Sequence, residues 1–215
     1  MSEDKRTSSY DDKVKGYDAL IGNKFYNKLI WKNDVKNYSD FCKEALDHHP
    51  KGTILDAGCG SLVFTADVYA QSQNSLIILL DRSLGMLERA KERLIERCGE
   101  VPSHIVLLQG DVFDLPFKEH TFDAVMSQGL LHMFDDKTAF LQELERVKKE
   151  EGCLSFTSLV GNTIVGRYYL KLLKKAGEVA VAYSSSELKN ILEKMPHDYE
   201  SKSIGNMAYM KNCNN

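Results

Sequence analysis

The stretch "TILDAGCGSLVF", Thr53 to Phe64, decides how this chain is read. A short apolar run ends in an aspartate, passes through Gly-Cys-Gly and enters a segment with helical spacing. Glycines packed this closely have no Cβ to keep a backbone or a ligand away, and the helix start that follows offers free amide groups. "TILDAG" therefore reads as a buried strand and "LVFTADVYAQ" as a helix, with the turn between them a candidate ligand cradle.

Outward from that turn the pattern repeats. "SLIILLD" is a continuous apolar strand ending in an acid. "SLGMLERAKERLIERC" is an amphipathic helix with Leu87, Ala90, Leu94, Ile95 and Cys98 on one side and Ser83 placed to cap it. "HIVLLQGD" and "FDAVMSQ" read as the third and fourth strands. "DDKTAFLQELERVKKE" is a helix begun by Asp135 or Asp136 with lysines at its negative end, and "GCLSFTSLV" is the fifth strand. Apolar strands alternating with amphipathic helices predict an α/β fold, a parallel sheet covered on both faces.

The tail departs from this. "VGRYYLKLLKKAG" is helical to Gly177, and "YSSSELKNILEKMP" carries a capping-box spacing at Ser184 and Glu187. "HDYESKSI", a Gly205-Asn206 turn and "MAYMKN" predict an antiparallel C-terminal hairpin. Upstream, residues 1 to about 12 are expected to be frayed, and Tyr17 to His49 is helical in spacing, stopped by Pro50-Lys51-Gly52. The organisation expected is a helical lid over 1–49 and a single domain over 50–215.

Composition excludes several classes. The 215 residues carry 28 Lys and Arg against 31 Asp and Glu, a net charge of -3, which is not the basic footprint of a nucleic-acid binder. The cations in "LERAKERLIERCGE" alternate with acids, as on a solvated helix face. Five scattered cysteines without a C-x-x-C pair argue against a zinc site or a disulfide framework, so reduced thiols and no metal are expected. No apolar run is long enough to span a bilayer and the N-terminus has no signal-like core, so the expectation is a cytoplasmic protein without nucleic-acid or membrane partners, a monomer or homodimer.

Two ligand classes compete for the turn. A dinucleotide fingerprint G-x-G-x-x-G counted from Gly58 requires glycine at Val63, and it fails. Asp81, 21 residues after Gly60, ends the next strand and suits the two ribose hydroxyls of any adenosine. Asp111 ends a third strand on the same edge and suits an adenine amine, although a turn cap explains it equally well. The readings this leaves open include a non-catalytic protein that binds an adenosine-containing cofactor, and an NAD-dependent oxidoreductase.

In order and spacing "ILDAGCG", Asp81, "GDVFDLPF", "FDAVMSQGLLHMF" and "LERVKKEEGCL" resemble the class I S-adenosylmethionine-dependent methyltransferases, in particular the small type 11 domain, over about residues 50 to 160. The resemblance implies a Rossmann-like seven-stranded sheet, S-adenosyl-L-methionine as cofactor and a small-molecule acceptor. It implies that Asp56, Gly58 and Gly60 surround the methionine part and Asp81 the ribose. Arg82 or Met86 would lie near the adenine, Asp111 and Val112 at its edge, and Gln128 near the sulfonium. Leu62 stands where the family commonly has a third glycine, and Glu151-Gly152 where relatives often turn at proline-glycine.

The segment "YDALIGNKFYNKLIWK" is loosely similar to the start of quinone-biosynthesis C-methyltransferases. That likeness makes Tyr17 a candidate to face the sulfonium and Trp31, Phe25 and Tyr26 candidates for an acceptor wall. His132 in "GLLHMF" is either a general base or a packing residue. The methylated atom, O, N, S or C, is not legible.

Overall fold

The computed structural model describes residues 14–195 and 197–213. Three helical pieces lead in: α1 (Val14–Ile21), α2 (Lys24–Tyr26) running into a π-turn at Asn27–Trp31, and α3 (Lys36–His48). The alternating portion follows as β1 (Thr53–Ala57), α4 (Ala66–Ala70), β2 (Leu76–Asp81), α5 (Leu84–Cys98), β3 (Ile105–Gln109), β4 (Phe122–Ser127), α6 (Lys137–Val147) and β5 (Lys148–Leu159). The chain closes with α7 (Ile164–Lys175), α8 (Ser185–Leu192), β6 (Glu200–Ile204) and β7 (Met207–Asn212).

The seven strands lie in the order β3-β2-β1-β4-β5-β7-β6. β1 to β5 are parallel, and β7 is antiparallel to both β5 and β6. The expected parallel sheet and terminal hairpin are both present. Strand order reverses between β1 and β4, which puts the ligand edge at their carboxyl ends.

Successive side chains of each strand point to opposite faces, so an all-apolar strand feeds two cores at once. In β2, Ile77 and Leu79 pack with Cys42, Ala45 and Leu46 of α3, Tyr69 of α4 and Ala90 and Leu94 of α5. Ile78 and Leu80 pack on the other side with Phe140, Leu141 and Leu144 of α6 and Leu188 and Leu192 of α8. The α3 part of the 1–49 segment is therefore a cover of the sheet.

Capping follows the sequence closely. Ser83 Oγ accepts from the Met86 amide at 3.2 Å, Asp136 Oδ1 from the Ala139 amide at 2.9 Å, and Ser184 with Glu187 forms a full capping box.

Several expectations are corrected. In α5, Ile95 and Cys98 are exposed while Met86 and Arg93 are buried. The solvated face read from alternating charges is thus not wholly solvated, because Arg93 turns inward. Glu151-Gly152 makes no chain reversal: β5 runs through it with a register shift between Phe122–Lys148 and Ala124–Cys153. The thiols are not all free either, since Cys153 and Cys213 are disulfide-bonded across β5 and the end of β7, 60 residues apart in sequence. Spacing could not reveal that pair, because antiparallel strand pairing alone brings it together.

Candidate functional site

Gly58 and Gly60 both have positive φ, +80° and +58°, a backbone region that side chains rarely adopt. A Cβ on Gly58 would meet Leu130 Cδ2 at 2.3 Å, whereas Gly60 faces open space. The turn is thus closed on its β4 side and open where a ligand would lie. Amides of Gly58 and Cys59 donate to the Leu80 carbonyl at 2.7 and 3.0 Å, which fastens the turn to β2.

Leu62 also has a positive φ, +58°, with its side chain 2% exposed among the helix-side core residues. It takes the conformation a glycine would take and uses its side chain to pack. The sequence raised this position as a departure, and the fold accommodates it.

Asp81 ends β2 beside that turn. Its Oδ2 accepts from the Gly60 amide and its Oδ1 from the Ser83 amide, both at 2.8 Å. A carboxylate has further lone pairs beyond these two, so it can still receive hydroxyl donors. Asp111 Oδ1 accepts from the Phe113 amide at 3.0 Å and so does cap a turn, with Val112 buried beside it. Arg82 is exposed and Met86 is buried at the first turn of α5.

Three buried polar atoms near the carboxyl ends of β1 and β4 have no hydrogen-bond partner: Asp56 Oδ1, Ser127 Oγ and Gln128 Oε1. β1 pairs with β4 with Asp56 opposite Met126, so Ser127 and Gln128 continue the same edge of the sheet, with the Ser127 side chain on the face opposite to Asp56. The other Asp56 oxygen accepts from the Tyr69 hydroxyl at 2.6 Å. Burial, reinforced by the charge of Asp81 and opposed by the Tyr69 bond, pushes Asp56 up to about 7. Unpartnered buried acceptors are costly, and a ligand bringing donors or positive charge would satisfy them. Asp56 Oδ1, at the end of β1 beside the open Gly60, is an acceptor that suits a ligand bringing a donor, as the amino group of S-adenosylmethionine would.

His132 is buried, and its Nδ1 accepts from the Leu159 amide at 3.3 Å. Burial first, then the charge of Lys137, lowers it to about 3. Tyr17 lies in α1, but its side chain falls outside the described residues. Trp31 is buried, and Tyr26, Trp31 and Tyr169 meet edge-on with centroids 5.4 to 6.3 Å apart, whereas Phe25 is 74% exposed and stands outside that cluster.

A further network was not legible in the sequence. Asp18 of α1 is buried, accepts from Ser61 Oγ and pairs with Arg93 Nη2 at 2.8 Å; Arg93 Nη1 donates to the Ser61 carbonyl at 2.6 Å. α1 is thereby tied to the glycine turn through α5. Among the described residues, His48, Cys153 and Cys213 bring potential metal donors within 4.8 Å, but the two sulfurs are bonded to each other.

The profile of the methyltransferase domain family matches residues 55–156, from within β1 to within β5. A demethylmenaquinone methyltransferase of Corynebacterium efficiens is 31% identical over 180 residues, covering 80% of this chain and 70% of that protein. The corresponding protein of Corynebacterium kroppenstedtii is 29% identical over 143 residues, and the chain spans only 57% of its length. A solved S-adenosylmethionine-dependent methyltransferase of Aquifex aeolicus has the same fold, with a TM-score of 0.63 at 18% identity over 94% of this chain and 97% of that one. No described helix is long and apolar enough to cross a membrane. With its strand order, its glycine turn and these likenesses, the chain belongs to the S-adenosylmethionine-dependent methyltransferase family.

Proposed function

We propose that this protein transfers a methyl group from S-adenosylmethionine to a small, largely apolar organic acceptor held beneath the N-terminal segment. The observation that carries the reading is the positive-φ turn at Gly58 and Gly60, open at Gly60, set between the strand-end acids Asp56, whose Oδ1 is buried and unpartnered, and Asp81. In this reading Asp56, Gly58 and Gly60 hold the methionine part, Asp81 the ribose, and Asp111 with Val112 the adenine edge. Arg82 and Met86 flank the adenine, Gln128 lies near the sulfonium, and Tyr17 is the candidate aromatic face for it.

The bound cofactor supplies an electrophilic methyl on a sulfonium. The chain supplies position and exclusion of water. Tyr26, Trp31 and Tyr169 form an aromatic wall suited to an apolar acceptor, and the two bacterial relatives are named for demethylmenaquinone, an acceptor of that character. His132 we assign to packing, because its Nδ1 accepts from the Leu159 amide and burial leaves the ring a weak proton acceptor. Any proton on the acceptor is lost without this residue as base.

Calorimetric titration with S-adenosylmethionine, S-adenosylhomocysteine and NAD tests the cofactor part; binding of both adenosyl compounds and not NAD is expected. Transfer of labelled methyl to a demethylated quinone, and not to polar amines, tests the acceptor class. Tight adenosyl binding without turnover on any acceptor would favour the non-catalytic alternative.

A further inference from the structure

Two surface elements carry one repeated pattern. In α2 and the π-turn, Lys24-Phe25 and Lys28-Leu29 are followed by Lys32, each step four residues on. In α7, Arg167-Tyr168 and Lys171-Leu172 are followed by Lys175, again at four. Every one of these side chains is exposed. Phe25 stands 74% exposed, Tyr168 66% and Ile164, at the start of the same α7 stripe, 86%. In α7 four-residue steps keep Ile164, Tyr168 and Leu172 on one helix face beside Arg167, Lys171 and Lys175. In the shorter α2–π segment Phe25 and Leu29 are exposed beside Lys24 and Lys28, with Lys32 at its left-handed end.

Neither stretch contains an acid, although Glu187 of α8 lies near enough to Arg167 for their charges to interact. No Asp or Glu occurs in residues 24–33 or 163–177, although the whole chain has more acids than Lys and Arg. Lys24, Lys28, Lys32, Arg167, Lys171, Lys174 and Lys175 concentrate positive charge that the average composition hides.

The two elements also pack directly on each other. Tyr26 packs on Tyr169 at 5.9 Å and Trp31 on Tyr169 at 5.4 Å. Behind them fully buried Asn206 donates to the Ile30 carbonyl at 3.0 Å and to Thr163 Oγ1 at 2.9 Å, and accepts from the Thr163 amide at 2.8 Å. One side chain thus bonds both the π-turn and the N-cap of α7.

We propose that the exposed faces of the α2–π segment and of α7 together dock on an anionic lipid bilayer. Apolar side chains enter the headgroup boundary and the flanking lysines meet lipid phosphates, the arrangement of an interfacial amphipathic helix. This departs from the absence of a membrane partner expected from composition, because net charge says nothing about where the cations gather. A second copy of the chain fits poorly: a two-fold contact would face these cations with the same cations, and lysine is depleted at protein interfaces.

The test is co-sedimentation of the full chain with phosphatidylglycerol vesicles and with phosphatidylcholine vesicles. Binding to the first and not the second is expected, with release at high salt. Lys24→Gln, Lys28→Gln and Lys171→Gln should each weaken binding about fivefold, and Phe25→Ser about tenfold. Thermal midpoints should stay unchanged, since the side chains are exposed. Lys36→Gln and Lys43→Gln on α3 serve as controls that leave binding intact. Equal sedimentation with both lipids, no sedimentation, or an equal loss in the α3 controls would overturn the proposal. So would a dimer by light scattering that Phe25→Ser dissolves without any lipid binding. Cofactor titration of the same variants is expected to be unaltered, which keeps this outcome separate from the methyltransferase reading.

Discussion

Asp81 Oδ2 lies 2.8 Å from the Gly60 amide and accepts its hydrogen, so an acid on β2 shapes the turn after β1. The same carboxylate takes the Ser83 amide through Oδ1, which couples the turn to the start of α5. Charged acceptors make hydrogen bonds worth about 1.5–3 kcal/mol each. Asp81→Asn removes the charge and turns a donor toward one of the two amides. S-adenosylmethionine affinity should fall by roughly ten- to hundredfold in calorimetry. An unchanged affinity would mean that Asp81 only shapes the loop.

Asp56 and His132 give opposite pH dependences. The fold raises Asp56 from 3.8 to about 7, so its contribution is present below the ordinary value and lost as pH rises through about 7. His132 falls from 6.5 to about 3, so its contribution is present above 6.5 and lost as pH falls toward about 3. Each is worth up to about 4 kcal/mol over nearly the same window, and the two slopes oppose each other. In the wild type these two contributions therefore largely cancel across that window. Asp56→Asn should become steadily more stable from acid to neutral pH, and His132→Asn steadily less. Chemical denaturation at several pH values reads both slopes; two flat single variants would refute the assignment.

Leu62 sets backbone strain against packing. A non-glycine residue in the left-handed region costs about 1–2 kcal/mol, while truncating a buried leucine to alanine costs about 2–5 kcal/mol. Packing wins, so both Leu62→Ala and Leu62→Gly should be less stable than wild type. The glycine variant should be the better of the two by about 1 kcal/mol, since it alone sheds the strain. Thermal melts of the pair distinguish this from a position chosen for cofactor contact, where glycine would raise stability or affinity above wild type.

Asp18 and Arg93 form a buried pair whose halves depend on each other. Removing one partner leaves an uncompensated charge and costs about 3–5 kcal/mol, whereas replacing both with apolar residues is often near neutral. Asp18→Ala should be markedly more destabilising than Asp18→Leu combined with Arg93→Met. A double-mutant cycle with no coupling would show that α1 is held by other contacts.

The strands, the helix caps and the glycine turn were legible because each is a local property. Ser83 caps the residue three places on, Ser184 and Glu187 cap one another, and period-2 burial needs only neighbours along a strand. Asp81 and Asp111 were legible as strand-end acids for the same reason. His132 was legible as a candidate but not as a role, since what neutralises it is burial and the charge of Lys137.

By itself, then, the sequence determined the alternation of strand and helix, the reversal at the C-terminal hairpin, and the glycine turn between β1 and α4. Local steric preference and side-chain periodicity suffice for those. Only the tertiary structure decided that Arg93 turns inward to Asp18, that Cys153 meets Cys213, and that Asn206 joins the π-turn to α7. Those partners lie between 43 and 176 residues apart in sequence for the Asn206 bonds and 60 apart for the cysteines. Their attraction exists only after the sheet has closed the intervening loops, so no spacing along the chain announces it.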